Sequence, residues 1–177
     1  MNLDASPAFT SRALRDALGS FATGVAVVTA RDRLGAPVGM TMSSFNAVSL
    51  DPPLVLFSVA RTAHSLDAMQ AARGFAVNIL GRAQADLSQR FARAQTDKWQ
   101  TVVHSPGYGD APVIADVLAH FECKPYAQHD GGDHVIFVCK VLRFATSDVD
   151  EDPLVFYRGR YHTLTADVER SSHAQDG

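Results

Sequence analysis

The chain has 177 residues, 46% apolar and 20% charged, which are the proportions of a globular domain with one hydrophobic core. Its formal net charge of −3 gives no support for nucleic acid or an anionic membrane as a partner, since either would favour a basic patch. No apolar run is long enough for a transmembrane helix, and residues 1–10 lack the basic and hydrophobic parts of a signal peptide, so we expect a cytoplasmic protein.

Hydrophobic spacing and turn residues predict alternating helices and strands over the first half of the chain. Apolar residues recur at helical spacing after Ser6 and Pro7, a pair typical of a helix start, whereas short β-branched runs indicate buried strands. Thr62 is placed to cap a further helix. In chain order the predicted elements are a helix from residue 6 to about 19, strands over 25–29 and 54–60, a helix over 62–72, a strand over 75–80 and a helix over 83–94.

Strands dominate the second half. Residues 96–113 contain several glycine and proline breaks without a clear period and predict a long loop. We expect a single domain over 1–165, followed by a polar, disordered tail over 166–177. No GxGxxG follows a strand at a βαβ junction, so the pattern favours an antiparallel barrel with a few peripheral helices. The predicted strands cover residues 118–124, 134–144 and 154–157.

Neither the cysteines nor the histidines form a metal-binding pattern. Cys123 and Cys139 each lie in an apolar, strand-like run without CxxC spacing, which indicates buried, reduced thiols. Asp133 and His134 are two possible ligands with no third nearby, which makes a poor metal site. We therefore expect no bound metal.

The segment from Gly39 to Leu54 is the most informative part of the sequence. It begins as a strand, continues as a run of small hydroxyl residues and ends in Pro52-Pro53, which stiffen the entry to the next strand. Small side chains leave backbone N–H and C=O groups open to a flat ligand with polar edges, and Thr41, Ser43 and Ser44 add hydroxyls. Taken alone, a strand that faces solvent is the simpler interpretation.

Two of the three later segments have features that suit a nucleotide ligand, and the other contains a distinctive turn. Residues 61–65 lie where a strand meets a predicted helix start, and Arg61 with the free N–H groups there would suit a phosphate. Residues 129–134 contain a Gly-Gly hairpin turn that leads into His134. Residues 157–161 hold two arginines around a glycine with a tyrosine at each end, a combination of stacking and cationic donors that suits a nicotinamide dinucleotide.

Each of these segments also has a simpler interpretation. Thr62 would ordinarily cap a helix with His64 exposed, His134 would be a satisfied polar residue, and the two arginines would be solvated on an edge strand. On the helix over 83–94, Phe91 is typical of the core and Arg90 of the solvated face. The upstream hydroxyl-rich segment favours a phosphate site at residues 61–65, and for the other segments only the family resemblance given next favours the functional interpretation.

In this order the segments resemble the short-chain flavin reductases, the small reductase partners of two-component monooxygenases. The hydroxyl-rich segment, the Gly-Asp-His triplet at 132–134 and the Arg-Phe-Ala…Asp-Lys-Trp pattern match this family, with Trp99 in place of the usual phenylalanine. The family usually has a glycine where this chain has Cys139, a departure that concerns strand packing more than chemistry. The resemblance covers nearly the whole chain.

The resemblance implies a mainly β fold with peripheral helices, an antiparallel FMN-binding split β-barrel that is normally a homodimer. It implies NAD(P)H-dependent reduction of FMN or FAD, after which the reduced flavin diffuses to a separate oxygenase. No covalent catalytic residue is expected, because the hydride passes directly from nicotinamide to flavin, and His134 would align the nicotinamide. The implied flavin-binding residues are Met40, Thr41, Met42, Ser43, Ser44, Ser58, Val59, Ala60, Arg61, His64, Ser65, Arg90 and Phe91, and the implied nicotinamide-binding residues are His134, Tyr157, Arg158, Arg160 and Tyr161.

The sequence leaves several points open. It does not distinguish FMN from FAD or NADH from NADPH, and it does not identify the oxygenase partner. It also admits a non-catalytic flavin carrier on the same barrel, or a split-barrel enzyme that acts on a pyridoxine phosphate or a haem. The Gly-Asp-His triplet and the Tyr-Arg-Gly-Arg-Tyr segment favour the reductase.

Overall fold

The computed structural model describes residues 9–94, 97–148 and 151–164. The tail expected over 166–177 and the helix start expected at Ser6 and Pro7 lie outside these residues. Within the described residues, no helix combines the length and the apolar character needed to cross a membrane. In chain order the elements are α1 (Ser11–Leu18), β1 (Thr23–Gly24), β2 (Ala26–Arg31), β3 (Pro37–Met42), β4 (Asn46–Leu50), β5 (Pro53–Ala60), α2 (Leu66–Ala71), β6 (Phe75–Ile79), a 3-10 turn (Arg82–Gln84), α3 (Ala85–Ala92), β7 (His104–Pro106), a second 3-10 turn (Tyr108–Asp110), β8 (Pro112–Ile114), β9 (Ala119–Gly131), β10 (His134–Thr146), β11 (Val155–Tyr157) and β12 (Arg160–His162).

Seven of the strands form one antiparallel sheet in the order β3-β2-β6-β9-β10-β5-β4. Its two edge strands, β3 and β4, are consecutive in the chain and are joined by residues 43–45 alone. A linker of that length spans at most about 14 Å, so the sheet must curl until its edges approach each other. Within the described residues β3 and β4 are not paired, which leaves a seam. The predicted mainly β, antiparallel fold is therefore confirmed, and the unclosed sheet is compatible with a split barrel.

The larger core cluster is built mainly from the strands of this sheet, with Met69 of α2, and contains three buried phenylalanines. Phe57 stacks on Phe137 with ring centroids 5.2 Å apart, and Phe75 meets Phe57 edge-on at 5.3 Å. All three are at most 1% exposed. A second cluster, between the sheet and α3, contains Phe91 and Leu154. These clusters hold β5 beside β10 and α3 beside β3, and both contacts shape the site described below.

The helices α1 and α2 begin directly after Thr10 and Ser65, respectively. Thr10 is the N-cap of α1, and its hydroxyl accepts a hydrogen bond from the first turn. The predicted cap at Thr62 is wrong, because α2 begins only at Leu66. The Arg61 N–H donates to the Asp133 carbonyl at 2.8 Å, so the backbone is still bound to the β9–β10 turn where the helix was expected to start.

The predicted strands over 25–29, 54–60, 75–80, 134–144 and 154–157 are present, with ends shifted by at most two residues. The strand expected over 118–124 is much longer, because β9 continues to Gly131. Pro125 lies within it, opposite Cys139 and next to a register shift in the pairing with β10. A bulge of this kind tolerates a proline, since it interrupts the ladder of hydrogen bonds.

The long loop predicted over 96–113 contains short secondary structure in its described part. β7 and β8 pair as a small two-stranded sheet, with the turn between them at Tyr108–Asp110. The buried amide of Asn78 fixes it to the main sheet, because Asn78 Oδ1 accepts from the Ile114 N–H at 2.9 Å and Asn78 Nδ2 donates to the Val27 carbonyl at 3.0 Å. Three-residue strands are too short to show a period, so the sequence pattern missed them.

Candidate functional site

A groove of about 490 Å³ lies at the seam of the sheet, and we call it the seam groove. It brings together the hydroxyl-rich segment, the end of β5 and the start of β10. These elements come from opposite halves of the chain, and the curled sheet places them side by side. The residues that line the seam groove are Met40, Thr41, Met42, Ser43, Ser44, Ser58, Ala60, Gly131, His134 and Ile136.

Strand register decides which residues of β5 reach the seam groove. β5 and β10 pair so that Ala60 lies opposite His134 and Ser58 lies opposite Ile136. Because side chains alternate between the two faces of a strand, these four residues share the groove face. Val59 lies on the other face, where it is fully buried in the core, so the structure does not bring this predicted flavin contact to the groove.

Two of the three predicted hydroxyl donors already have partners within the protein. Thr41 Oγ1 donates to the Ser88 carbonyl at 2.6 Å. Ser44 Oγ donates to the Ser58 carbonyl at 3.2 Å and accepts from the Ser58 N–H at 3.0 Å. These bonds hold the segment against α3 and β5. The exposed Ser43 is therefore the hydroxyl residue of this segment that is best placed to meet a ligand.

His134 lies at the start of β10 and is hydrogen-bonded to its neighbour. His134 Nδ1 lies 2.7 Å from Asp133 Oδ1, and this hydrogen bond, together with the charge interaction, lowers the pKa of Asp133. An ionised carboxylate only accepts hydrogen bonds, so Nδ1 carries the proton. This arrangement orients the imidazole ring and leaves Nε2 as the ring nitrogen available to a ligand in the seam groove.

A second cavity of about 620 Å³ is lined by residues of β3, α2, α3 and the segment after α3, and we call it the α3 cavity. It adjoins the seam groove, since Met40 lines both. Lys98 and Trp99 also line it, although neither was among the predicted site residues. The sequence signal that could have identified them as site residues is the Asp-Lys-Trp part of the family pattern, to which both belong. The predicted site residues that line the α3 cavity are Met40, His64, Ser65 and Phe91.

Gly39 allows the aromatic side chains of this region to pack closely against β3. A Cβ at this position would lie 2.7 Å from Phe91 Cε1 and 3.1 Å from Trp99 Cζ2. The Phe91 and Trp99 rings meet edge to face with centroids 4.8 Å apart. Phe91 is therefore both a core residue, as its helical position predicts, and part of the wall of the α3 cavity.

Arg61 is bound to the β9–β10 turn and lines neither cavity. Its Nε donates to the Gly132 carbonyl and its Nη2 to Asp130 Oδ1, both at 2.8 Å. The hydrogen bond from Arg61 is the main reason that the pKa of Asp130 is lowered, with a further contribution from the Gly132 N–H. The structure therefore gives Arg61 a partner that the sequence did not reveal.

The remaining predicted residues also lie away from the two cavities. Arg90 Nη1 donates to Thr101 Oγ1 at 2.6 Å, and Arg90 lines a separate surface cavity. The segment 157–161 forms the β11–β12 hairpin, which pairs with β1. The Tyr161 hydroxyl lies 2.8 Å from Ser88 Oγ, which connects this hairpin to the residue that binds Thr41. Besides Val59 and Arg61, the predicted residues not brought to either cavity in the single chain are Arg90, Tyr157, Arg158, Arg160 and Tyr161.

The two cysteines are buried and unpaired, as predicted. Burial raises the pKa of the Cys123 thiol to about 12 and also raises the pKa of the Cys139 thiol. Both therefore stay protonated at neutral pH and are poor nucleophiles. Among the residues described, no group of three or more His, Cys, Asp or Glu side chains is arranged to hold a metal ion.

Comparison with known sequences shows relatives along nearly the whole chain. The stachydrine N-demethylase reductase subunit of Rhizobium meliloti is 43% identical over 96% of this chain and 73% of its own length. The FMN reductase (NADH) of Agrobacterium fabrum is 46% identical over 85% of this chain and 84% of its own length. A second Rhizobium meliloti relative is 44% identical, and the chain spans only 54% of its length.

Solved structures show the same fold. The NADH:FAD oxidoreductase of Streptomyces globisporus, determined with NAD and FAD fragments, superposes with a TM-score of 0.83 at 36% identity, over 90% of this chain and 96% of that one. The styrene monooxygenase flavin reductase of Pseudomonas putida gives a TM-score of 0.80 at 30% identity, over 87% and 98% of the two chains. The flavin reductase like domain matches residues 18–165, so the chain belongs to that family, as the sequence motifs predicted.

Proposed function

We propose that this protein is an NAD(P)H:flavin oxidoreductase that reduces FMN or FAD for a separate monooxygenase component. The observation that carries the proposal is the seam groove, which places His134 beside the hydroxyl-rich segment. Family membership and relatives named as FMN reductase (NADH) and as NADH:FAD oxidoreductase support flavin and NADH as the reactants. In the reaction, NAD(P)H gives up a hydride, and the flavin takes up the hydride together with a proton from solvent.

The two cavities have the size and lining that a flavin nucleotide requires. Their volumes of about 490 and 620 Å³ lie within the range of about 300–1,000 Å³ that is usual for small-molecule sites. The seam groove combines the apolar side chains Met40 and Ile136 with the polar Ser43 and His134. We assign the flat ring to the seam groove and the side chain with its phosphate to the α3 cavity, which adjoins it at Met40.

The chain contributes binding and alignment to this reaction. A bound flavin supplies the two-electron redox chemistry that no side chain provides. Thr41 and Ser44 fix the shape of the groove through their internal hydrogen bonds. Ser43, which lines the groove, would hold the polar edge of a bound flavin ring. His134, oriented by Asp133, is available through Nε2 to position the nicotinamide. The assignment of Tyr157, Arg158, Arg160 and Tyr161 to the nicotinamide nucleotide stays a prediction.

The reduced flavin is used by a second protein. Relatives named as reductase components of flavin-dependent monooxygenases support a separate oxygenase as the partner. The expected cytoplasmic location stays a prediction.

The functional form that we propose is a homodimer. No residue of α1 is buried, although its apolar residues are spaced to lie on one face. Leu18 and Phe21 are 66% and 76% exposed, and Leu14 is 44% exposed. Such an apolar surface usually marks an interface, and two-fold dimers are the commonest oligomers. A second copy of this chain, contacting α1 and the residues after it, is the occupant that fits the family resemblance.

A steady-state assay tests the proposed activity. We expect the purified protein to oxidise NADH or NADPH only when FMN, FAD or riboflavin is present. Rates measured for both nucleotides with each flavin also decide the preferences that the sequence leaves open. If no combination is consumed while flavin still binds tightly, the protein is a non-catalytic flavin carrier, the alternative that the named relatives do not favour.

A further inference from the structure

The phosphate site expected from the sequence lacks its cation in the folded protein. Arg61 donates through Nε and Nη2 to the β9–β10 turn, and its backbone N–H is bound there as well. The following helix, α2, has six residues, and its N-cap Ser65 makes no side-chain capping bond. A helix this short has too few aligned peptide dipoles to bind an anion by itself. If a phosphate lies near His64 and Ser65, another group must supply the positive charge.

Lys98 and Arg93 are the lysine and arginine that share a cavity with His64 and Ser65, and Lys98 is the partly buried one of the two. Its ammonium lies 3.5 Å from the Phe91 carbonyl oxygen and 5.9 Å from the centroid of the Phe91 ring. Within the described part of the chain no carboxylate lies within the 4.0 Å of an ion pair with it. Partial burial lowers its pKa, as expected for an ammonium whose lost hydration is not compensated by an anion.

The other charges around the α3 cavity are compatible with an anionic ligand. Arg93 also lines it, and Asp32 is the one carboxylate among its described lining residues. Asp32 Oδ1 accepts hydrogen bonds from the Leu34 and Ala36 N–H groups at 2.9 and 2.8 Å. Asp32 therefore closes its own turn, and among the described residues Lys98 has no carboxylate within ion-pair distance.

We propose that Lys98 binds the phosphate of the flavin nucleotide in the α3 cavity, and that Arg61 instead holds the β9–β10 turn that presents His134. The proposal rests on the flavin reductase function proposed above. This assignment differs from the sequence-based prediction, in which Arg61 binds the phosphate and Lys98 has no role. An ammonium next to a phosphate makes a charge-assisted hydrogen bond, stronger than one between neutral groups.

Binding of FMN and of riboflavin to the same variants tests this assignment, because the two ligands differ only in the phosphate. Trp99 is the single tryptophan of the chain and lines the α3 cavity, so quenching of its emission reports binding without turnover. We expect Lys98→Met to weaken FMN binding about ten- to hundred-fold, the range for a hydrogen bond to a charged group, and to change riboflavin binding little. Lys98→Arg, which keeps the charge, should retain most of the preference for FMN.

Two control variants separate this effect from general ones. Lys124→Met removes the same charge from an exposed position on β9, so it should leave the preference for FMN over riboflavin unchanged. Arg61→Met should also keep that preference, and should instead slow reduction of bound flavin by NADH, since the turn beside His134 is released.

The outcomes are distinct. A preference for FMN that survives in Lys98→Met, or that is lost in Arg61→Met instead, overturns the assignment while the reductase function stands. If Lys98→Met changes the discrimination between NADPH and NADH but not between FMN and riboflavin, the cavity serves the nicotinamide nucleotide, and the assignment is again wrong. Failure of the wild-type protein to bind either flavin overturns the proposed function, and this assignment with it.

Discussion

Asp133 and His134 illustrate how one hydrogen bond prepares a residue for alignment. The carboxylate accepts from Nδ1 at 2.7 Å, which orients the ring and selects the tautomer. The histidine lies opposite Ala60, so its position depends on the register between β5 and β10. A ring held in this way can align a nicotinamide without itself taking part in a covalent step.

Replacement of His134 should therefore affect hydride transfer more than flavin binding. We expect His134→Ala to slow NADH-dependent flavin reduction by up to about a hundred-fold, since a misplacement of about 1 Å can cost that much. Flavin affinity should stay within a few-fold of wild type. Single-turnover absorbance measurements give the rate, and a flavin titration gives the affinity.

His134→Asn is the matched variant, because it keeps a donor of similar reach and should retain more of the rate than His134→Ala. If both substitutions only lower the melting temperature and leave the rate per folded molecule unchanged, the histidine merely stabilises the hairpin. The alignment role would then be wrong.

The Arg61–Asp130 pair gives the β9–β10 turn a dependence on pH. Arg61 lowers the pKa of Asp130 in the folded protein, so the pair stabilises the turn above the ordinary carboxyl pKa. That contribution is lost as the pH falls through the folded-state pKa. We expect Arg61→Met to raise the pKa of Asp130 toward its ordinary value, as measured by a carboxyl-carbon NMR titration. An unchanged pKa would show that the ion pair does not persist in solution.

At the scale of elements, α3 is the component that joins the two parts of the site. It carries Phe91, which lines the α3 cavity, and Ser88, which accepts from Thr41 and meets the Tyr161 hydroxyl. Its approach to β3 depends on Gly39, where any side chain would overlap the Phe91 ring. The packing between α3 and β3 therefore sets the shape of the α3 cavity.

Gly39→Ala should accordingly destabilise the protein by about 1–3 kcal/mol, the usual cost of overpacking a filled core. Thermal or urea unfolding measures the change. Gly24→Ala is the matched control, because a Cβ there would meet nothing within 4 Å and Gly24 has no positive φ. Equal stability of the two variants would mean that Phe91 and Trp99 move aside without cost.

At the scale of the whole molecule, the exposed apolar face of α1 is the surface on which we expect the second copy of the chain to pack. We expect Leu18→Asp to convert a dimer into a monomer of about the chain mass of 19.1 kDa, because it places a charge in the apolar contact. Light scattering coupled to gel filtration measures the mass. Leu34→Asp is a suitable control, since Leu34 is 93% exposed in the turn after β2. A wild-type protein that is monomeric at all concentrations would contradict the proposed dimer.

The sequence alone determined the mainly β character, most strand positions, the turn before His134 and the family. These features are encoded locally, because β-branched runs and Gly-Gly turns limit the backbone over a few residues. The sequence also predicted that the hydroxyl-rich segment and His134 belong to one site. That prediction came from the order of the family motifs, because the sequence shows no contact between them. The sequence did not predict the strand end at Gly131 or the small β7–β8 sheet. Both depend on strand pairing that short sequence patterns do not show.

Only the tertiary structure decided which side chains reach the site. The pairing of β5 with β10 sends Ser58 and Ala60 to the seam groove and Val59 to the core. The same pairing brings Arg61 to Asp130, while at the α3 cavity no carboxylate of the described residues lies within ion-pair distance of Lys98. A long charged side chain takes the partner that folding places within its reach, and residues far apart in the chain supply that partner. Local sequence patterns could therefore identify the positively charged side chains but could not predict which group each of them binds.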